Sequence, residues 1–190
     1  MYTATNPFDV WNFGQSNAAP SVFGALPYPS PPSANVVTFY FTHFNPNILN
    51  CSIIGPQAQL YYRVVTDNHM PGYTVIKNNE GKNVSLIEWQ NHPFIEIRGL
   101  LTKQHVRTWM GLTPDKSARM ITIRGAPYVW APKEKSINLY SHGSRPAFMA
   151  RITRSNGSVV LDVTQEALQL GLLDSIVSAS FLLQCGRNID

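Results

Sequence analysis

The chain has 190 residues, a mass of 21.2 kDa and a formal net charge of +4, with a pI near 9.2. That length suits one domain with a full core, or one domain plus an arm. Hydrophobic residues make up an ordinary 44%, but charged residues only 14%, against a usual share of about 25%. The surface must therefore be covered by Asn, Gln, Ser, Thr and backbone, which favours self-association over solubility by charge. The positive charge is also too mild and too scattered for a nucleic-acid partner to be expected.

Residues 1–35 form a distinct first segment. It holds Pro7, Pro20, Pro27, Pro29, Pro31 and Pro32 and a single charged side chain, Asp9. With neither a helix nor a strand period, it reads as an extended arm. Solvated tails are usually poor in aromatics, yet this one carries Phe8, Trp11, Phe13, Phe23 and Tyr28. Those five rings make it a candidate self-association arm, a strap for this domain or for a neighbouring copy. Its first residues lack the basic and apolar regions of a secretory signal, and no stretch of the chain approaches the ~18 apolar residues of a bilayer span. Cys51 and Cys185 are too few for a disulfide framework and read as buried free thiols. A cytoplasmic protein is expected.

From residue 36 to 190 the pattern is that of one β domain. Val37, Phe39 and Phe41 alternate with Thr38, Tyr40 and Thr42, as a half-buried strand requires. The same period recurs at Leu60, Tyr62 and Val64; at Ile95 and Ile97; and at Ile121 and Ile123. It continues through Ile137 and Leu139, then Phe148, Ala150 and Ile152, then Val159, Leu161 and Val163. Turn signals separate these runs, the strongest being Asn156-Gly157, a dipeptide suited to a two-residue hairpin. Many short strands at such spacing predict a sandwich or barrel.

The last segment differs. Residues 172–185 predict a helix, with Asp174 or Ser175 as cap and Gly186 as left-handed stop. Its apolar residues go nearly right around the helical wheel, so it must be enclosed. Fourteen residues span only about 21 Å, too short for a membrane. In an all-β chain the simplest enclosure is a closed antiparallel barrel with the helix inside.

The runs Leu60-Tyr61-Tyr62-Arg63-Val64, Ser85-Leu86-Ile87-Glu88-Trp89 and Arg124-Gly125-Ala126-Pro127-Tyr128-Val129-Trp130 carry a family resemblance, together with Ala150-Arg151-Ile152 and Leu173-Asp174-Ser175-Ile176-Val177. The chain resembles a family of uncharacterised basidiomycete fungal proteins with the tubby C-terminal-like fold, shared by tubby proteins, phospholipid scramblases and LURP-one-related proteins. The resemblance covers roughly residues 36–186. It implies the barrel but no catalysis, since folds host unrelated functions. Tubby domains bind phosphoinositides through a basic patch. Here Arg119, Arg124, Arg145, Arg151 and Arg154 are the candidate anionic-ligand residues, without a residue-by-residue match.

No enzyme is expected. His43, His69, His92, His105 and His142 show no metal-ligand spacing with each other or with the cysteines, and no phosphate loop, dinucleotide fingerprint or nucleophile elbow is present. Ser141-His142-Gly143-Ser144 reads as a turn. Glu88 and Glu96 read as solvent-facing, opposite cations such as Arg98. Trp89, Trp109 and Trp130 read as strand residues of a core. No metal or cofactor is expected. The function that follows is a non-enzymatic binding or self-assembly module, an arm-mediated homo-oligomer. The alternative is a peripheral protein on anionic, phosphoinositide-bearing membrane.

Overall fold

The structure is a computed structural model that describes residues 35–155 and 157–190. The arm, and with it Phe8, Trp11, Phe13, Phe23 and Tyr28, lies outside the described residues. So does Asn156 of the expected hairpin, though Gly157 takes the positive φ of 73° that such a turn needs.

Thirteen strands form one antiparallel sheet. In chain order they are β1 (Val36–Thr42), β2 (Cys51–Ile54), β3 (Leu60–Val65), β4 (Tyr73–Asn78), β5 (Asn83–Glu88), β6 (Phe94–Ile97) and β7 (Leu101–His105). They continue with β8 (Met110–Leu112), β9 (Arg119–Ile123), β10 (Ala126–Lys133), β11 (Ser136–Ser141), β12 (Phe148–Ser155) and β13 (Ser158–Thr164). Three α-helices, α1 (Val106–Trp109), α2 (Gln165–Gln169) and α3 (Leu173–Gln184), and a 3-10 turn at Pro56–Ala58 occur among the described residues. The spatial order runs β7 through β1 and then β13 down to β8. Each strand thus pairs with its sequence neighbour, except where β1 meets β13.

This order dictates a curled sheet. Thirteen strands laid flat would be about 58 Å across at ~4.8 Å per spacing. Yet the two edges, β7 and β8, are joined only by the four residues of α1, a turn about 6 Å long. The edges must therefore come round to each other. The object they curl around is α3, whose residues 175–184 are all buried. Strands from different parts of the sheet reach it. Tyr62 of β3 donates its hydroxyl to Asp174 at 2.7 Å. Ser85 of β5 meets Ser178 at 2.5 Å. Arg154 of β12 donates to Gln184 at 2.7 Å.

Full closure, however, is absent. No ladder joins β7 to β8 among the described residues, so the expected closed barrel is corrected to an open sheet wrapped around its helix. The cause is local. The helical turn of α1 ends with the Met110 amide donating to Val106 O, and Arg119 Nη1 donates to Met110 O at 3.0 Å. Both backbone groups at the start of β8 are thus engaged without β7.

Two smaller corrections concern α3 and Trp109. The N-cap of α3 is Leu172, with no side-chain cap bond. Asp174 sits inside the first turn, where it holds Tyr62. Trp109, expected on a strand, ends α1. Gly186, with φ of 71°, does stop the helix.

Candidate functional site

Strand parity divides β10–β13 between two clusters. Tyr128, Trp130, Ile137, Leu139, Ala150, Ile152, Val159, Leu161 and Val163 point inward to the main core around α3. Their outward neighbours Val129, Ala131, Tyr140 and Phe148 form a second cluster with Ala118. Register lines them up in rows. Phe148 pairs with Tyr140, which pairs with Val129. One row along, Thr38, Asp162, Arg151, Asn138 and Ala131 follow one another across β1, β13, β12, β11 and β10.

These outward positions are withdrawn from water. Tyr140 is 0% exposed and Asn138 2%. A side chain on the outside of a sheet has neighbours in the plane and needs a layer above it to reach such values; open outer faces are ordinarily polar and wet. Among the described residues, Val36 is the one partly buried hydrophobic packed on this cluster. The platform's margin is polar and internally bonded. Asn138 Nδ2 donates to the Tyr140 hydroxyl at 3.1 Å. Thr38 Oγ1 donates to Asp162 at 2.8 Å, and Arg151 Nη2 donates to the same carboxylate at 2.7 Å.

Beside Val36 the outer surface continues as a groove of about 510 Å³, bounded by Val37, Thr38, Tyr40, Ile54 and the turn Gly55–Ala58. Gly55 is obligatory there, because a Cβ would lie 2.5 Å from the Tyr61 ring. That ring packs edge-on against Phe39 at 5.1 Å. Gln57 and Ala58 hold left-handed φ of 58° and 56°, which costs non-glycine residues about 1–2 kcal/mol each.

The five candidate arginines do not converge. Arg119 is 0% exposed and bidentate with Asp190, at 2.8 and 2.7 Å; it is a buried ion-pair residue and not a surface ligand group. Arg151 is paired with Asp162. Arg154 lies at the β12–β13 turn, level with Val159, where burial lowers its pKa. Arg124 and Arg145 are exposed and share the opposite end of the sheet. Arg124 there forms the β9–β10 turn with Gly125, both at positive φ. The backbone of His142, in the loop that carries Arg145, donates to Pro127 O at 3.0 Å.

At the seam, Gln90, Asn91, His92, Phe94 and His105 line a shallow cleft of about 480 Å³. His105 lies against Phe94 with ring centroids 3.9 Å apart, and its Nδ1 is buried without a hydrogen-bond partner. His92 Nδ1 contacts Asp190 O at 3.0 Å. Glu88 pairs with Lys103 at 2.6 Å rather than with Arg98, and Glu96 is exposed. Ser141 Oγ accepts from Ala147 N at 2.8 Å, so the Ser-His-Gly-Ser stretch is a tied turn. No group of three or more His, Cys, Asp or Glu that could hold a metal occurs among the described residues. No described helix is long and apolar enough to cross a membrane.

Both cysteines are free thiols. Burial raises Cys51 to about 12 and Cys185 to about 11, so little thiolate, the nucleophile, exists at neutral pH. Alkylation by iodoacetamide at pH 8 should be at least about 100-fold slower in the native protein than in the urea-unfolded chain. Mass-spectrometric labelling of each site checks this, and comparable native and unfolded rates would contradict it.

A family described as a family of unknown function (DUF6593) matches residues 46–188. The chain belongs to that family. The DUF6593 match takes in β2 through α3 and the segment beyond it, while β1 and the arm precede it. No curated protein matches. Among solved structures, the chain is similar to a protein from Arabidopsis thaliana known by X-ray structure, at 13% identity and a TM-score of 0.40. The similarity covers 76% of this chain and 91% of the other.

The outer platform of this DUF6593 chain is the feature that sequence reading missed. Its signal was present in Tyr128-Val129-Trp130-Ala131, an unbroken apolar run in a domain whose other strand-like runs alternate. Such a run marks a strand covered on both faces.

Proposed function

We propose that the chain is a non-enzymatic binding and self-assembly module, a homo-oligomer joined through its N-terminal arm, and that the outer face of β10–β13 is where part of that arm is seated. One observation carries this reading: Tyr140 and Phe148 face outward and are nevertheless buried. An apolar platform of this kind, left bare, is an aggregation or interaction surface. An extended aromatic segment suits it, because flat rings bring large contact area at low entropic cost. Residues 1–34 supply such rings at Phe8, Trp11, Phe13, Phe23 and Tyr28. The sheet curled about an apolar C-terminal helix supports a tubby C-terminal-like kinship within a fungal family, and a cytoplasmic setting belongs to the same reading. Light scattering coupled to size exclusion tests it. Full-length protein should elute as an oligomer and Δ1–34 as a monomer; two monomers of matching behaviour would end the proposal.

A second reading, peripheral binding to an anionic phosphoinositide surface, is favoured by the shared location of exposed Arg124 and Arg145. On this reading Arg119 and Arg151 are already engaged and contribute nothing. Flotation with phosphoinositide-bearing liposomes at moderate salt should then depend on Arg124→Gln/Arg145→Gln. No binding to anionic vesicles by the wild-type chain would dismiss it.

A further inference from the structure

We infer that the layer over the outer platform is the proximal arm of the same chain, residues 20–34, which leaves Phe8, Trp11 and Phe13 to reach a second copy. This rests on the assembly reading above and divides the arm between two tasks.

The point of entry comes first. Gln165 N donates to Asn35 O at 3.1 Å, and Val36 pairs with Thr164. Thr164 follows Val163, the partner of Ala150, so Val36 stands at the level of Met149, next to Phe148. Phe148 pairs with Tyr140, and Tyr140 with Val129. The arm therefore emerges beside the head of the very row that is covered, and Val36 already packs on it.

Reach is sufficient. From β1 to β10 there are four strand spacings, or about 19 Å. Tyr28 precedes Val36 by eight residues, which span about 25 Å in the extended form that proline favours. Phe23 has further length to spare.

Composition fits as well. No residue from Val10 to Asn35 is charged, so none would be buried against the platform without a partner. Pro27, Pro29, Pro31 and Pro32 lack amide donors, which suits a segment crossing the sheet face better than one extending its ladder. A proline-stiffened strap also loses less entropy on docking.

Hydroxyl-radical footprinting with mass spectrometry tests the assignment at Tyr140 and Phe148. Full-length protein and Δ1–19 should be equally protected, while Δ1–34 should be oxidised at least several-fold faster. The full-length double variant Phe23→Ala/Tyr28→Ala should lose protection too, and it serves where the deletion does not fold. Equal rates in all four proteins would overturn the inference. So would protection of ¹⁵N-labelled Δ1–34 by unlabelled full-length chain, which would place the strap in trans. Light scattering on Δ1–19 separates the two proposals. A monomer with a protected platform supports both; an oligomer with a protected platform removes distal-arm assembly and keeps the strap.

Discussion

Phe181→Ala should lower the stability of the fold by about 3–5 kcal/mol, the usual cost of truncating a fully buried phenylalanine. In a domain of this size that is a fall in Tm of roughly 10 °C. The ring is 0% exposed and lies on α3, tilted against Trp89 with centroids 6.3 Å apart. Collapse into the void is resisted because the sheet approaches α3 from β3, β5 and β12 at once, held by the Tyr62–Asp174, Ser85–Ser178 and Arg154–Gln184 contacts. Deleting residues 172–190 extends the same logic. The inward faces of thirteen strands would then have no filling, and cooperative thermal unfolding should vanish. A loss below 1 kcal/mol for Phe181→Ala in urea titration, or a cooperatively melting deletion, would mean that α3 is not the core.

The helix and most inward strand faces were legible because each rests on one period in one segment. Phe39 and Phe41, Ile95 and Ile97, Ile121 and Ile123, and Val159, Leu161 and Val163 alternate in sequence and are buried in the fold. Other strands were silent. β7 reads Leu-Thr-Lys-Gln-His and β8 Met-Gly-Leu; both are sheet edges, with too few apolar positions to show any period. Closure was illegible for the same reason. Whether two edges pair depends on the connector between them, and Val-Arg-Thr-Trp forms a helical turn in place of a tight hairpin.

The arginines show where composition misleads and parity would not. Arg119 alternates with Ile121 and Ile123, which already marks it as inward-facing. Arg154 shares parity with Ile152 and reaches α3 through Gln184. Arg151 has the opposite parity and stands outward beside Asp162. Grouping the five by charge mixed two faces of one sheet. The outward platform escaped for a different reason. Its apolar residues sit on three consecutive strands, and the register, shifted between Leu139 and Tyr140, brings Val129, Tyr140 and Phe148 into one row.

Asp190→Asn should destabilise more than Arg119→Met, although both break the same pair. Arg119 is 0% exposed while the Asp190 side chain keeps 38% of its surface. Neutralising Asp190 removes the carboxylate that balances a guanidinium charge held away from water, a change that costs about 3–5 kcal/mol. Removing Arg119 instead leaves a carboxylate that solvent still reaches, so about 1–3 kcal/mol is expected from lost hydrogen bonds. The double variant should resemble Arg119→Met alone, since the charge needing a partner is gone. Location gives the pair a second consequence. Arg119 belongs to β9, also holds Met110 O of β8, and fastens residue 190 next to His92 at the unlaced seam. Amide exchange in β7 and β8 should accordingly rise in Asp190→Asn before the rest of the sheet loosens. Equal urea midpoints for the two single variants, with an unchanged seam, would show that the ion pair does not hold the edges together.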